Sequence, residues 1–105
     1  MDPDIVRGLK RREPSIDFRE AAGTIPDETP DLEVLRIAAE AGRVLVSFDV
    51  ATMPGHFARF LVERNSPGLI LVSSRKSIGD VIEGLLLVWL NWSPEDLHNQ
   101  GRWLP

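Results

Sequence analysis

The chain is expected to fold as an α/β domain around a parallel sheet, and three features of the sequence carry that expectation. Two short runs, "RVLVSF" (43–48) and "GLILVSS" (68–74), are apolar at consecutive positions, as strands are when helices cover both faces of a sheet. Each run is followed by a segment with apolar residues at helical spacing, 53–65 and 77–92, and the first is also preceded by one, 29–42. Strands alternating with helices in this way pair in parallel through right-handed crossovers.

The elements follow in order along the chain. "PDIVRGLKRREP" (3–14) places Ile5, Val6 and Leu9 on one helical face and Lys10, Arg11 and Arg12 at the end where cations complement the helix dipole, and Pro14 stops it. "SIDFREA" (15–21) alternates Ile16 and Phe18 with polar neighbours, the pattern of a short strand, and "AGTIPDETP" (22–30) is a loop marked by Gly23, Pro26 and Pro30. In "TPDLEVLRIAAEAG" (29–42), Thr29 is the expected cap, Pro30 suits the first turn, Asp31 and Glu33 favour the positive end, and Gly42 suits the exit. "SPEDLHNQ" (93–100) begins as a short capped helix does, and "GRWLP" (101–105) is at most a terminal edge strand.

With 105 residues the chain is long enough for one core, so one domain over 1–105 is expected. Its 43% hydrophobic and 27% charged residues match a globular protein and exclude an intrinsically disordered one, and a net charge of −4 gives no overall electrostatic footprint for nucleic acid. The absence of cysteine removes disulfides, thiolate nucleophiles and thiolate metal sites together. The N-terminus lacks the apolar core of a signal peptide, and "VIEGLLLVWLNW" (81–92) is too short to span a bilayer, so a cytoplasmic location without membrane contact is expected.

Asp49 is the residue that raises a functional question, because it closes a buried run at the strand end where parallel α/β sheets bind ligands. An aspartate there is also a good turn residue, and Asp31 in a first helical turn is accounted for by the dipole alone. "SSRKS" (73–77) follows the second strand, so Arg75 and Lys76 are candidates to meet a phosphate at the same sheet end. It is not a P-loop, since the glycines are missing. The basic group Arg7, Lys10, Arg11 and Arg12 reads as a solvated helix end or an RNA-backbone contact. His56 and His98 have no ligand-spaced partners and read as surface or capping residues, and Trp89, Trp92 and Trp103 read as packing for the last helix or, if exposed together, as a partner surface.

The succession "PDIVRGLKRREPSIDF", "PDLEVLRIAAEAGRVLVSFDVATMP" and "PGLILVSS" resembles the small PIN-like proteins related to the toxin ribonucleases of bacterial toxin–antitoxin systems. The resemblance covers nearly the whole chain and implies a three-layer α/β/α sandwich with a mostly parallel sheet. It also implies a ribonuclease that uses magnesium or manganese held by carboxylates. Carried over residue by residue, it makes Asp49 and Asp31 catalytic metal ligands, with Glu33 as the alternative register for the second, and it brings an RNA substrate and an antitoxin-like protein partner. Two carboxylates leave most of an octahedral shell to water, so weak binding is expected.

The family's opening strand, which carries another key aspartate, has no counterpart here, so the domain is expected to be N-terminally shortened. Either the remaining strands pair directly, or two chains associate as a homodimer and cover the exposed edges, with the three tryptophans contributing apolar surface. Loss of that strand also leaves open a non-catalytic interaction module that keeps the fold.

Overall fold

The computed structural model of the chain describes residues 2–20, 25–26 and 28–105. Helix α1 (Pro3–Arg12) is followed by α2 (Asp31–Glu40), strand β1 (Leu45–Ser47), α3 (Met53–Glu63), β2 (Leu69–Leu71), α4 (Ile78–Asn91), the single turn α5 (Pro94–Leu97) and β3 (Gly101–Trp103). The strands form one all-parallel sheet in the order β1-β2-β3, with Leu45 opposite Leu69 and Leu69 opposite Gly101. The mixed α/β class and the parallel pairing are therefore as the sequence predicts, and the described strands pair directly with one another. Among the described residues no helix is long and apolar enough to cross a membrane.

Side chains alternate across a strand, and here the alternation divides the core in two. Ile70 and Val72, with Val44, Val46 and Phe48 beside them, join Ile5 and Leu9 of α1 and Val81, Leu85 and Leu86 of α4. Leu69 and Leu71, with Leu45, join Leu35 of α2 and Met53, Phe57 and Phe60 of α3. The consecutive apolar run of β2 is thus explained: Leu69 and Leu71 feed one cluster and Ile70 and Val72 the other.

Local signals account for most helix ends. Ser77 caps α4 by accepting from the Asp80 N–H at 3.1 Å, and Ser93 and Asp96 form a reciprocal capping box around α5. Gly42, at φ +68°, ends α2 in a Schellman turn, with Arg43 N–H donating to the Ala38 carbonyl at 2.9 Å and Gly42 N–H to Ala39 at 3.0 Å.

Two local expectations fail. Thr29 does not cap α2; its hydroxyl donates back to the Pro26 carbonyl, and Pro30 holds the cap position without a side-chain bond. The strand expected over 15–21 is not one: residues 16–20 are irregular and pair with none of the three strands, and residue 21 lies outside the described residues. The alternation itself is real, since Ile16 is buried and Phe18 is packed against the α1–α4 cluster. Alternation selects the buried face, whereas a strand also needs a neighbour to take up its main-chain bonds. The loop expected over 22–30 lies partly outside the described residues.

Candidate functional site

Chain direction brings the candidate residues to one end of the sheet. Helix α2 returns to the start of β1, so its first residue, Asp31, stands where β1 ends; Asp49 follows β1 directly, and α3 begins there with His56 in its first turns. Because β1 and β2 are parallel, the turn 73–77 with Arg75 and Lys76 leaves the sheet at the same end as Asp49. The closest approach among these groups is His56 Nε2 to Asp31 Oδ2, at 3.4 Å.

Asp49 organises the turn that starts α3. Its Oδ1 accepts the N–H groups of Ala51 at 3.2 Å and Thr52 at 3.0 Å, and its Oδ2 accepts the Thr52 hydroxyl. The Thr52 hydroxyl, then the Thr52 N–H, then the remaining donors and the nearby His56 imidazole hold the Asp49 carboxyl below its ordinary 3.8, against a small opposing effect of burial. These bonds occupy three of about four acceptor positions that a carboxylate offers. Asp49 is therefore a turn residue by geometry, with about one acceptor position not taken up by these bonds.

His56 is the residue that the sequence does not single out. No metal-type spacing links it to another ligand in sequence, yet the fold sets it beside Asp31 and within electrostatic reach of Asp49. Its Nδ1 is buried with no hydrogen-bond partner among the described residues. The usable signal was its place in the first turns of the helix that leaves a strand ending in an aspartate. The alternative register, Glu33, points elsewhere: the Arg36 guanidinium bonds to it and lowers its carboxyl pKa, so it is engaged along α2. His98, after α5, lies apart from this group.

Arg75 and Lys76 sit in a turn fixed by Ser73, whose hydroxyl accepts from Arg75 N–H and whose carbonyl accepts from Lys76 N–H, both at 3.2 Å. Neither side chain enters an ion pair among the described residues. On α1, by contrast, Arg7 is paired with Asp4 and Arg12 with Glu83. The tryptophans divide: Trp92 packs on the core with the Arg102 guanidinium 5.2 Å above its ring, whereas Trp89 and Trp103 are exposed.

The two carboxylates that organise turns make stability fall in acid. Asp96, held below 3.8 chiefly by the Ser93 N–H and then its hydroxyl, behaves like Asp49. A carboxyl with a depressed folded pKa stabilises fully above its unfolded value and loses that contribution as pH falls through the folded value. The double variant Asp49→Asn, Asp96→Asn is thus expected to show a flatter decline of Tm below about pH 4 than the wild type. Parallel curves would mean that neither carboxylate is held as described.

Asp31 and His56 meet and Asp49 stands at the same strand end, but among the described residues no three His, Cys, Asp or Glu side chains are clustered closely enough to hold an ion. Set against protein-family models, curated proteins and solved structures, the chain gives no match.

Proposed function

We propose that the chain is a PIN-like protein, a magnesium- or manganese-dependent ribonuclease of toxin–antitoxin type, with a three-layer α/β/α arrangement and the sheet's carboxyl end as its active site. The observation that carries this reading is the arrival of Asp31 and Asp49, from separate elements, at one sheet end with His56 beside them. In this reading Asp31 and Asp49 would each give an oxygen to a hard divalent cation, and water would complete the shell because no third carboxylate or imidazole among the described residues is close enough to join them. Such an ion supplies Lewis acidity toward a phosphodiester. Arg75 and Lys76, unpaired in their turn, attract the RNA backbone to the same end. Asp49 keeps the turn in register through Thr52, and His56 holds Asp31 in place. A cytoplasmic setting and an antitoxin-like protein partner belong to this reading.

Calorimetry with manganese tests it. Binding is expected on the order of 10⁻⁴–10⁻³ M, at the weak end for carboxylate sites. Asp49→Asn and Asp31→Asn should each weaken it by about tenfold or more. Tight binding that survives Asp49→Asn removes Asp49 from the site.

A second reading, the non-catalytic interaction module, is favoured by the three bonds that already engage the Asp49 carboxylate in its turn. Incubation of the folded chain with single-stranded RNA and manganese separates the two. Cleavage lost in Asp49→Asn supports the enzyme, and an intact substrate supports the module.

A further inference from the structure

Strand β3 is held in the fold by residues other than Trp103. Gly101 lies against Phe57 of α3, whose ring a Cβ there would meet at 3.5 Å, and Leu104 is buried, with its N–H donating to the Leu71 carbonyl at 2.9 Å. Arg102 turns to the opposite face, where its guanidinium stands over Trp92. Trp103 lies between these anchors and is 58% exposed. Its position is fixed by register. Ser47, Leu71 and Trp103 stand in one row across the sheet, and side chains in one row share a face, so Trp103 is on the side of Leu71, which packs with α2 and α3. The row is the last of the ladder at the carboxyl end. Asp49 is two residues past Ser47, Asp31 and His56 belong to α2 and α3 on the same face, and Arg75 and Lys76 follow Leu71 by four and five residues. Two strand spacings, roughly 10 Å, separate the main chain at Trp103 from that at Ser47.

We propose that Trp103 is a substrate-contacting residue: an unpaired base of the RNA stacks on its indole while the adjoining backbone follows Arg75 and Lys76. The inference rests on the ribonuclease reading for the identity of the polymer and adds to it the residue that positions the strand. The company that Trp103 keeps decides for a nucleic acid over a protein surface. Arg75 and Lys76 have no acidic partner among the described residues. An apolar protein face laid over this end would cover those charges without pairing them, at a cost in desolvation. A single strand offers phosphate to the cations and a π-face to the indole at the same time. Stacking also takes a base out of its pair, so a duplex reaches the cations and not the ring.

The probe is a fluorescein-labelled oligoadenylate, titrated by anisotropy in EDTA so that binding is read without a metal and without cleavage. Trp103→Ala is expected to weaken binding about 5- to 150-fold, the range for loss of one base–aromatic stack, and Trp103→Phe to keep most of the affinity, since a phenyl ring also stacks. The slope of affinity against salt, which counts phosphate contacts, should be the same in all three proteins. An abasic oligomer of the same length keeps the phosphates and loses the bases, so against this probe Trp103→Ala should cost nothing, a result that a merely structural role for Trp103 does not give. Should Trp103→Ala fail to fold, tryptophan emission decides: its quenching by the oligoadenylate should persist in Trp89→Phe and disappear in Trp103→Phe. Equal affinities of the wild type and Trp103→Ala, an equal loss against the abasic oligomer, no binding at millimolar oligomer, or a dimer in sedimentation that Trp103→Ala dissolves each overturns the inference. The ribonuclease reading fails separately: Trp103-dependent binding without cleavage once manganese is restored ends that reading and supports the stack, whereas cleavage with a KM that Trp103→Ala leaves unchanged does the reverse.

Discussion

Gly68→Ala is expected to destabilise the protein by about 2–6 kcal/mol, enough to unfold most of it if its stability is ordinary. Gly68 adopts φ +133°, a region that L side chains rarely enter, and a Cβ there meets the Leu97 carbonyl oxygen at 2.6 Å and its Cβ at 3.0 Å. Neither neighbour can retreat. Gly68 is also where the sheet's register is set: its carbonyl accepts from Leu45 of β1, and its N–H donates to the buried Ser66 hydroxyl at 3.0 Å. Ser66 in turn is tied to Asn99, whose side chain accepts its N–H at 2.7 Å just before β3 begins. Gly55→Ala is the control, since open space surrounds that position in α3. It should raise stability by about 0.4–1 kcal/mol. Urea unfolding of the three proteins checks both, and a Gly68→Ala midpoint at the wild-type value would refute the close approach to Leu97.

Leu9→Ala should cost about 2–5 kcal/mol, the range for a fully buried leucine whose surroundings only partly collapse. Leu9 is 0% exposed and, with Ile5, anchors α1 against α4 and the sheet. The neighbouring Arg12–Glu83 ion pair is exposed and holds little by itself. With urea slopes of about 1–3 kcal/mol/M, the midpoint should fall by about 0.7 M or more. Val62→Ala, at 83% exposed in α3, should change stability by less than about 0.5 kcal/mol. Similar midpoints for the two variants would show that α1 contributes little to the core.

The strands and long helices were legible in the sequence because their signals are periodic and local. Leu69 to Val72 must be apolar to serve two clusters, and Gly42, Ser77 and the Ser93–Asp96 pair are end signals with a direct geometric cause. What failed was what depends on a neighbour. Ile16 and Phe18 alternate as a strand does, but whether such a segment pairs is decided by the distant chain beside it. The site divides in the same way. Asp49 was visible from its place after β1, where an aspartate also reads as a turn residue. His56 was not, because its meeting with Asp31 depends on how α2 lies against α3, a packing that no spacing encodes.

The last strand has a consequence for the order of synthesis. Leu104 is buried and fits over Gly84, where a Cβ would come within 2.6 Å of it, and its N–H donates to the Leu71 carbonyl at 2.9 Å. The central strand β2 therefore waits, with one edge and part of its core unfilled, until residue 104 has emerged from the ribosome. Both of its partners are remote in sequence, Leu45 before it and Gly101 after it, so loop-closure entropy is spent before either pairing rewards it. A nascent chain stalled after α4 exposes the apolar edge of β2 together with the Leu85 and Leu86 face. An unpaired strand edge and uncovered apolar surface left open together are what make an incomplete chain prone to aggregate.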